Sequence, residues 1–471
     1  MTRIGGDAHG QVDTYPHRAD RRMPGVGQTL VVVFGAGLLA GSASVAPAAT
    51  GAALILTIQL LFTLAAAWRA VLVLMSRRIA PDPPPAPVLP RYTVMAALLD
   101  EAEILPQLVA RLDAIDYPRD RLEGFLLLEA HDTATRTAAT DYPLPSWLTV
   151  LVVPPGGPRT KPSALNAGLA AASGALLTVY DAEDDPDPLQ LREAAARFAA
   201  DPTGRLATLQ APLRIRPPDP SGSPFLDRQF AVEYAALFEV TLPAMARLGL
   251  PFPLGGTSNH FRVEALRAVG GWDAHNVTED ADLGFRLWRC GYRLGTLRRP
   301  TWETPPGDMI DWLPQRTRWL KGFMQTWGVH TRTLSGLGWR GVLALVMTLG
   351  MSLAAASAHA LSLAWVVATV GICVAAGMTP DSQVFAFAVL GGGLIAAWIN
   401  GAIGAYRAGV PYQARDMLMA PAYWSLLTLA FFHALWRLVA QPFTWDKTRH
   451  RRDPAIEVAA LAEVDAGREA A

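Results

Sequence analysis

Apolar blocks stand at both ends of the chain, and an alternating block lies between them. From Leu30 to Val45, and again from Ala52 to Met75, the sequence is apolar and almost uncharged. Each stretch is long enough for a membrane span, with a short turn near 46–51, so 27–78 reads as two transmembrane helices. The apolar character returns after Trp339. There 341–358, 360–377, 383–405 and 419–439 read as about four more spans within 336–440, six in all. An even count puts both termini and the middle block on one side. Arg77 and Arg78 after the second span, and Lys447, Arg449, Arg451 and Arg452 after the last, mark that side as cytoplasmic. Arg407 and Arg415 oppose this, because they fall in an external loop unless 341–377 is one long span or 406–418 lies in the interface. A cleaved signal peptide fits poorly, since its apolar core would be shorter and no second span would follow directly. Residues 1–26 read as a disordered tail, 79–91 as a stiff Pro-rich linker, and 441–471 as a cytosolic tail.

Residues 92–335 alternate short apolar runs with helical stretches, the pattern of an α/β domain with a largely parallel sheet. Tyr92–Leu99 reads as a buried strand, after which Ile104, Leu105, Leu108, Val109, Leu112 and Ile115 recur at helical spacing. Further strands are expected at Gly124–Leu128, Leu148–Val153, Ala175–Tyr180 and Leu206–Gln210. In such sheets ligands sit beyond the carboxyl ends of strands, so the residues that follow each run are the candidates for chemistry. Composition narrows the choice of partner. The 471 residues are 51% hydrophobic and 17% charged, and 41 Lys and Arg balance 41 Asp and Glu, so no global field recruits nucleic acid. Cys290 and Cys373 are too few and too far apart for a disulfide framework or a zinc site.

Immediately after Tyr180 comes Asp181-Ala182-Glu183-Asp184-Asp185. Hard oxygen ligands at a strand end suit Mg²⁺ or Mn²⁺ opposite a diphosphate; the alternative is an acidic loop that caps the next helix. Thr278-Glu279-Asp280 precedes a helix, which it either caps or supplies with a carboxylate able to deprotonate an acceptor hydroxyl. In Gln315-Arg316-Thr317-Arg318-Trp319-Leu320-Lys321 positions 315, 318 and 319 share a helical face. Arg318 offers paired donors for phosphate and Trp319 a flat platform for a sugar, although such residues also anchor interfacial helices. Only three lysines occur, Lys161, Lys321 and Lys447, against 38 arginines. Lys161 opens a helix that runs to Asn166 and beyond, where free amides favour phosphate. Leu254–Phe261 reads as a substrate-lining loop or a plain turn, His260 as a structural histidine, and His359 as part of a helix contact. A P-loop, a dinucleotide glycine fingerprint and a nucleophile elbow are all absent from the sequence.

Taken in this order, the acidic strand end, Thr-Glu-Asp and Gln-x-x-Arg-Trp resemble the membrane-embedded, processive family 2 glycosyltransferases, the group of bacterial cellulose, hyaluronan and chitin synthases. The likeness covers about 92–335 and extends more loosely to the flanking spans and to Pro442–Thr448. It implies an α/β GT-A (Rossmann-like) cytosolic domain inserted between transmembrane α-helices of the inner membrane. By the same resemblance Asp181, Glu183 and Asp184 would hold Mg²⁺ or Mn²⁺, and Asp280 would be the general base within Thr278-Glu279-Asp280. Gln315, Arg318 and Trp319 would hold the donor diphosphate and the acceptor end. Glu129 and Asp132 stand where the family binds the nucleotide base, and Lys161 and Asn166 at a further nucleotide contact. The implied reaction is inverting transfer from a nucleotide sugar, UDP favoured over GDP, to a growing glycan, with membrane lipid around it and any export or regulatory subunit unnamed. Two other readings compete. One is transfer of a single sugar to a lipid or polyprenyl phosphate. The other is a transporter or receptor with an inactive nucleotide-binding insert, although the spans offer few polar groups beyond His359 and Asn400.

Overall fold

The computed structural model describes Ala19 and residues 25–76, 82–154, 158–216, 224–377 and 384–444. The expected N-terminal tail, Arg77, Arg78 and the basic residues from Lys447 onward lie outside them. Two apolar helices come first, α1 (Val26–Val45) and α2 (Pro47–Met75). The middle block then runs β1 (Tyr92–Leu98), α3 (Leu105–Asp113), β2 (Leu122–Glu129), α4 (Thr133–Asp141), β3 (Leu148–Val153), α5 (Lys161–Ala171), β4 (Leu176–Tyr180), β5 (Asp185–Pro186), α6 (Gln190–Ala199), β6 (Leu206–Gln210) and β7 (Leu213–Ile215). It continues with α7 (Pro224–Ala236), α8 (Leu242–Arg247), β8 (Asn259–Arg262), α9 (Val263–Ala268), α10 (Glu279–Arg289), β9 (Arg293–Thr296), β10 (Thr301–Glu303) and α11 (Met309–Thr331). Last come α12 (Gly338–Leu345), α13 (Met351–Ala375), α14 (Val384–Ala408) and α15 (Ala414–Ala440).

Seven strands form one sheet in the order β3-β2-β1-β4-β8-β6-β9, and β5-β10-β7 form a second. Side chains of β1 alternate between faces, as pleating requires. Tyr92, Val94, Ala96 and Leu98 pack with Leu108 and Leu112 of α3 and Leu191 and Phe198 of α6, while Met95 packs with Leu165 and Leu169 of α5 on the other face. The chain leaves β1 toward β2 and β3 on one side and returns to β4 on the other. That reversal opens a crevice at the carboxyl ends of β1 and β4.

The sheet departs from the expected parallel arrangement, because β8 runs antiparallel between β4 and β6. Asn259, His260 and Phe261, read from sequence as part of a loop, are that strand. The reason is a buried polar network that sequence periodicity does not show. His260 bridges the Tyr92 hydroxyl (2.6 Å) and Gln190 (3.0 Å), and burial pushes its imidazole down to about 3, so it stays neutral.

Among the described residues, five helical stretches are long and apolar enough to cross a membrane. The segments expected as separate spans at 341–358 and 360–377 form one run of 38 residues, Gly338–Ala375, in which α12 passes into α13 through a π-helical turn at Val346–Gly350. No proline or charged residue interrupts that stretch after Arg340. Consequently α14 returns to the α/β unit, where Arg407 donates to the Glu239 carbonyl (2.8 Å) and the Ser76 hydroxyl (3.0 Å) at the end of α2. This is the alternative in which 341–377 is one long run, with Arg407 at the same level as the end of α2. Helix α15 behaves differently from the others. Its first turn is held by Arg228 and Gln229 of α7 through Asp416, and the residues after its last turn, Gln441 and Thr444, accept from Lys321 of α11. A 27-residue helix spans about 40 Å, and both of its ends rest on the α/β unit.

Candidate active site

The crevice holds a cavity of about 240 Å³. Its walls bring together the ends of β1 and β4, the first turns of α5 and α10, one face of α7, the Leu254–Thr257 segment and one face of α11. Lys161 begins α5 and is pulled across to the Asp181 carboxylate, with a second bond to the Gly256 carbonyl (2.8 Å). Burial alone would lower this ammonium, but Asp181, Glu279 and Asp280 outweigh it and push it up to about 12. Lys161 therefore remains charged and ties the end of β4 to the Leu254–Thr257 segment.

Glu279 and Asp280 occupy the first turn of α10, where the helix dipole favours negative charge. Burial nonetheless dominates. It pushes Asp280 up to about 6, against the Ala281 amide, Lys161 and Arg318, and Glu279 up to about 8 with help from Asp280. From behind, Asp282 fixes the helix by accepting from Arg286 (2.6 Å) and His330 (3.0 Å), the latter on α11. The loop before α10 is braced by the same helix. Gln325 accepts from the Val277 amide (3.0 Å), and Asn276 donates to Thr326 (2.9 Å).

On α11, Gln315, Arg318 and Trp319 all face the cavity, and the Gln315 carbonyl oxygen has no hydrogen-bond partner among the described residues. Trp319 is held by its neighbour Arg316, whose guanidinium lies 4.5 Å from the ring centre and pairs with Glu233 through two bonds of 2.8 and 2.7 Å. Tyr423 of α15 donates to the same Glu233 carboxylate (2.7 Å).

Residues 176–400 match the family model described as glycosyl transferase family group 2. Probable glycosyltransferase YdaM of Bacillus subtilis (strain 168) is 24% identical over 242 residues, which are 50% of this chain and 55% of that protein. Beta-monoglucosyldiacylglycerol synthase of Synechocystis sp. is 28% identical over 258 residues, 53% of this chain and 52% of the other. Poly-beta-1,6-N-acetyl-D-glucosamine synthase of Staphylococcus aureus (strain COL) is 25% identical over 234 residues, 49% and 54%. The chain thus spans about half the length of these curated relatives. Among solved structures, the mannosyltransferase PcManGT from Pyrobaculum calidifontis in complex with GDP-Man and Mn²⁺ superposes with a TM-score of 0.53 over 82% of this chain and 96% of that one, at 19% identity. The fold is GT-A-like.

The chain carries a family 2 glycosyltransferase domain.

Of the residues singled out by sequence, the fold brings Glu129, Lys161, Asp181, Glu183, Thr278, Glu279, Asp280, Gln315, Arg318 and Trp319 to one cavity. Three others are elsewhere. Asp132 is the N-cap of α4, taking the Thr135 amide (3.0 Å) and the Asp100 amide (2.6 Å), and is buried away from the cavity. Asn166 braces the chain before α10 by exchanging two hydrogen bonds with the Trp272 backbone (2.8 and 2.9 Å). Asp184 is fully buried, takes the Asp181 amide (2.7 Å) and the Thr257 hydroxyl, and shapes the turn after β4 rather than lining the cavity. Burial, with Asp181 and Glu183 close by, pushes its carboxyl well up. The expected metal set therefore contracts to Asp181 and Glu183. Among the described residues no three His, Cys, Asp or Glu side chains converge as a ready-made metal site.

Sequence reasoning missed Glu233, Tyr234 and Glu303, which also line the cavity of the glycosyltransferase. Glu303 ends β10, and burial together with Asp184, Glu183 and Asp181 pushes it well above the usual carboxylate range. Such crowding of carboxylates is what a cation would relieve. The available signal was a lone carboxylate ending a three-residue strand, too short to stand out from a loop.

Proposed function

We propose that the protein is an inverting glycosyltransferase that moves a sugar from a nucleoside diphosphate to an acceptor hydroxyl at the cytosolic face of the inner membrane. One observation carries this reading: Asp280, a half-buried carboxylate with a raised proton affinity, faces the same cavity as Lys161, Arg318 and Trp319. In the proposed mechanism Arg318 and Lys161 offset charge on the departing diphosphate, Asp280 takes the proton of the attacking hydroxyl, and Trp319 and the free Gln315 carbonyl hold sugar. Attack opposite to departure in one displacement inverts the anomeric centre. Asp181 and Glu183 fit a divalent ion, Mg²⁺ or Mn²⁺, which would supply positive charge beside the diphosphate; PcManGT was solved with Mn²⁺ and GDP-Man. Glu129, at the end of β2, would approach the nucleoside. UDP is the favoured nucleotide and processive glycan synthesis the activity expected from resemblance. The polymer synthase and the glycolipid synthase among the relatives leave both acceptor types in play.

The test is nucleotide release and sugar transfer by the purified full chain in nanodiscs, with a panel of UDP- and GDP-sugars, with and without chelator. Transfer from one donor, abolished by Asp280→Asn and by chelator, is expected. Equal transfer by Asp280→Asn would overturn the assignment of the base.

A further inference from the structure

We propose that the acceptor is a neutral membrane lipid with a free hydroxyl, of the diacylglycerol kind, its acyl chains lying along the apolar wall that β7, the turn after α7, the loops of Leu254 and Val277, and α11 present to the cavity. This rests on the glycosyltransferase reading above and takes the single-sugar lipid acceptor in place of processive synthesis.

The wall consists of Leu213, Leu237, Phe238, Leu254, Val277 and Phe323, which line the same cavity as Asp280. It is continuous, since a Cβ on Gly255 would lie 3.0 Å from the Phe238 ring and 3.3 Å from Leu213. None of the six side chains offers a hydrogen bond. A glycan laid here would lose water from its hydroxyls without replacement, whereas an acyl chain loses only unfavourable hydration.

The back of the wall is membrane-helix contact. Helix α7 turns Ala235 and Val232 toward α14, so close that a Cβ on Gly404 would lie 2.6 Å from the Ala235 carbonyl carbon. The π-helical turn Leu237–Thr241 that follows touches α2 and α14. Arg407, in the last turn of α14, bonds Ser76 and Glu239 there, so two apolar helices end at the level of Leu237 and Phe238. A lipid anchored in the bilayer thus presents its headgroup at the height of the cavity. Nor do the apolar helices ring a conduit for polymer among the described residues: α2 packs on α1 and α14, while α13 packs on α15 rather than along α14.

Charge selects among lipids. Glu129, Asp181, Glu183, Glu279, Asp280 and Glu303 line the cavity against Arg159, Lys161 and Arg318. Lys161 is already shared with Asp181, and the donor diphosphate draws on it and on Arg318. A phosphate acceptor would meet repulsion and, being already ionised, would have no use for a base. A neutral hydroxyl needs one. In the step, the lipid oxygen bonds to the anomeric carbon, the bond from that carbon to the diphosphate oxygen breaks, the hydroxyl proton passes to Asp280, and the nucleoside diphosphate leaves with the electron pair.

The experiment uses the full chain in phosphatidylcholine nanodiscs with radiolabelled UDP-glucose, UDP-N-acetylglucosamine or GDP-mannose. Discs contain dioleoylglycerol, undecaprenyl phosphate, no added lipid, or no added lipid with a soluble oligosaccharide primer. A chloroform-extractable product with one sugar per dioleoylglycerol is expected. Label on the primer, in aqueous polymer, or on undecaprenyl phosphate overturns the proposal, as does nucleotide release without lipid labelling. No nucleotide release from any donor overturns the glycosyltransferase reading itself and this proposal with it. Leu237 is 36% exposed, so Leu237→Asn spares the core. It is expected to raise the KM for dioleoylglycerol about tenfold while the donor KM holds; an equal rise in both KM values counts against the acceptor wall.

Discussion

Gly322 of α11 lies against Thr278 with no room between them: a Cβ on Gly322 would sit 2.7 Å from the Thr278 Cβ. The backbone of α11 thus lies directly against the side chain of the N-cap of α10, the helix whose first turn carries Glu279 and Asp280. Gly322→Ala forces one of them to move, an overpacking that costs about 1–3 kcal/mol. The expected result is a drop in kcat/KM of about tenfold or more from a displaced Asp280, alongside a modest loss of Tm. Donor transfer assays and thermal unfolding check it together.

Activity should follow the ionisation of Asp280. The group must be deprotonated to accept a proton, and burial sets its midpoint at about 6. Turnover is therefore expected to fall by about tenfold per pH unit below that point and to level off above it. A pH profile of kcat/KM for the wild-type chain, flat in Asp280→Asn at its residual rate, is the check.

Stability should run the other way. Glu279 holds its proton more tightly in the folded chain than in the unfolded one, up to about 8 against an ordinary 4.5. The folded state binds more protons across that interval, so the contribution of this group to stability is fully present below about 4.5 and is lost as pH rises through about 8. Glu279→Gln removes the penalty and is expected to stabilise the ligand-free protein at pH 8 by at least about 1 kcal/mol, with little effect at pH 4.5. Denaturant midpoints at the two pH values decide it.

Lys161 and Asp181 form a part-buried pair whose partners cannot be lost singly without cost. Lys161→Met leaves Asp181, Glu279 and Asp280 without their shared cation, a loss of less than the about 3–5 kcal/mol of a fully buried pair. Adding Asp181→Asn to Lys161→Met should recover part of the stability and none of the activity. A double-mutant cycle on Tm and on nucleotide release separates the two effects.

The path of the apolar helices can be mapped by labelling. With Cys290 and Cys373 replaced by Ala, single cysteines at Gly409 and Gln441 are expected to react from the face that carries the catalytic unit, and at Ala46 and Gly377 from the opposite face. Labelling of Gly409 and Gln441 from opposite faces would show that α15 crosses the bilayer instead of resting on α11.

Much of this architecture was legible because period-2 and apolar runs survive folding. The expected strand Leu148–Val153 matches β3, and Leu206–Gln210 matches β6. Thr278-Glu279-Asp280 and Gln315, Arg318 and Trp319 could be found because each group sits within one turn of helix. The pattern of four carboxylates after Tyr180 could not say which of them faces outward. Asp184 points into the fold because Thr257, 73 residues on, waits there with a hydroxyl. Asp132 and Asn166 were drawn into the site by position alone, and caps and loop braces compete for the same polar residues. Glu233, Tyr234 and Glu303 were invisible for the converse reason. Nothing local marks them, and only the packing of α7 and β10 on β7 brings them to the cavity.

The bonds from Lys321 to Gln441 and Thr444, and from Gln325 to the Pro442 carbonyl (2.9 Å), join the helix that braces the Asp280 loop to the residues after α15. They impose an order of events on biosynthesis. A nascent chain that has released Asp280 and Arg318 from the ribosome already owns its reactive groups, yet the brace waits for residue 444, by which time every apolar helix has been delivered to the bilayer. On the proposed function, a half-made chain would be held back from consuming nucleotide sugar until its apolar helices are in place.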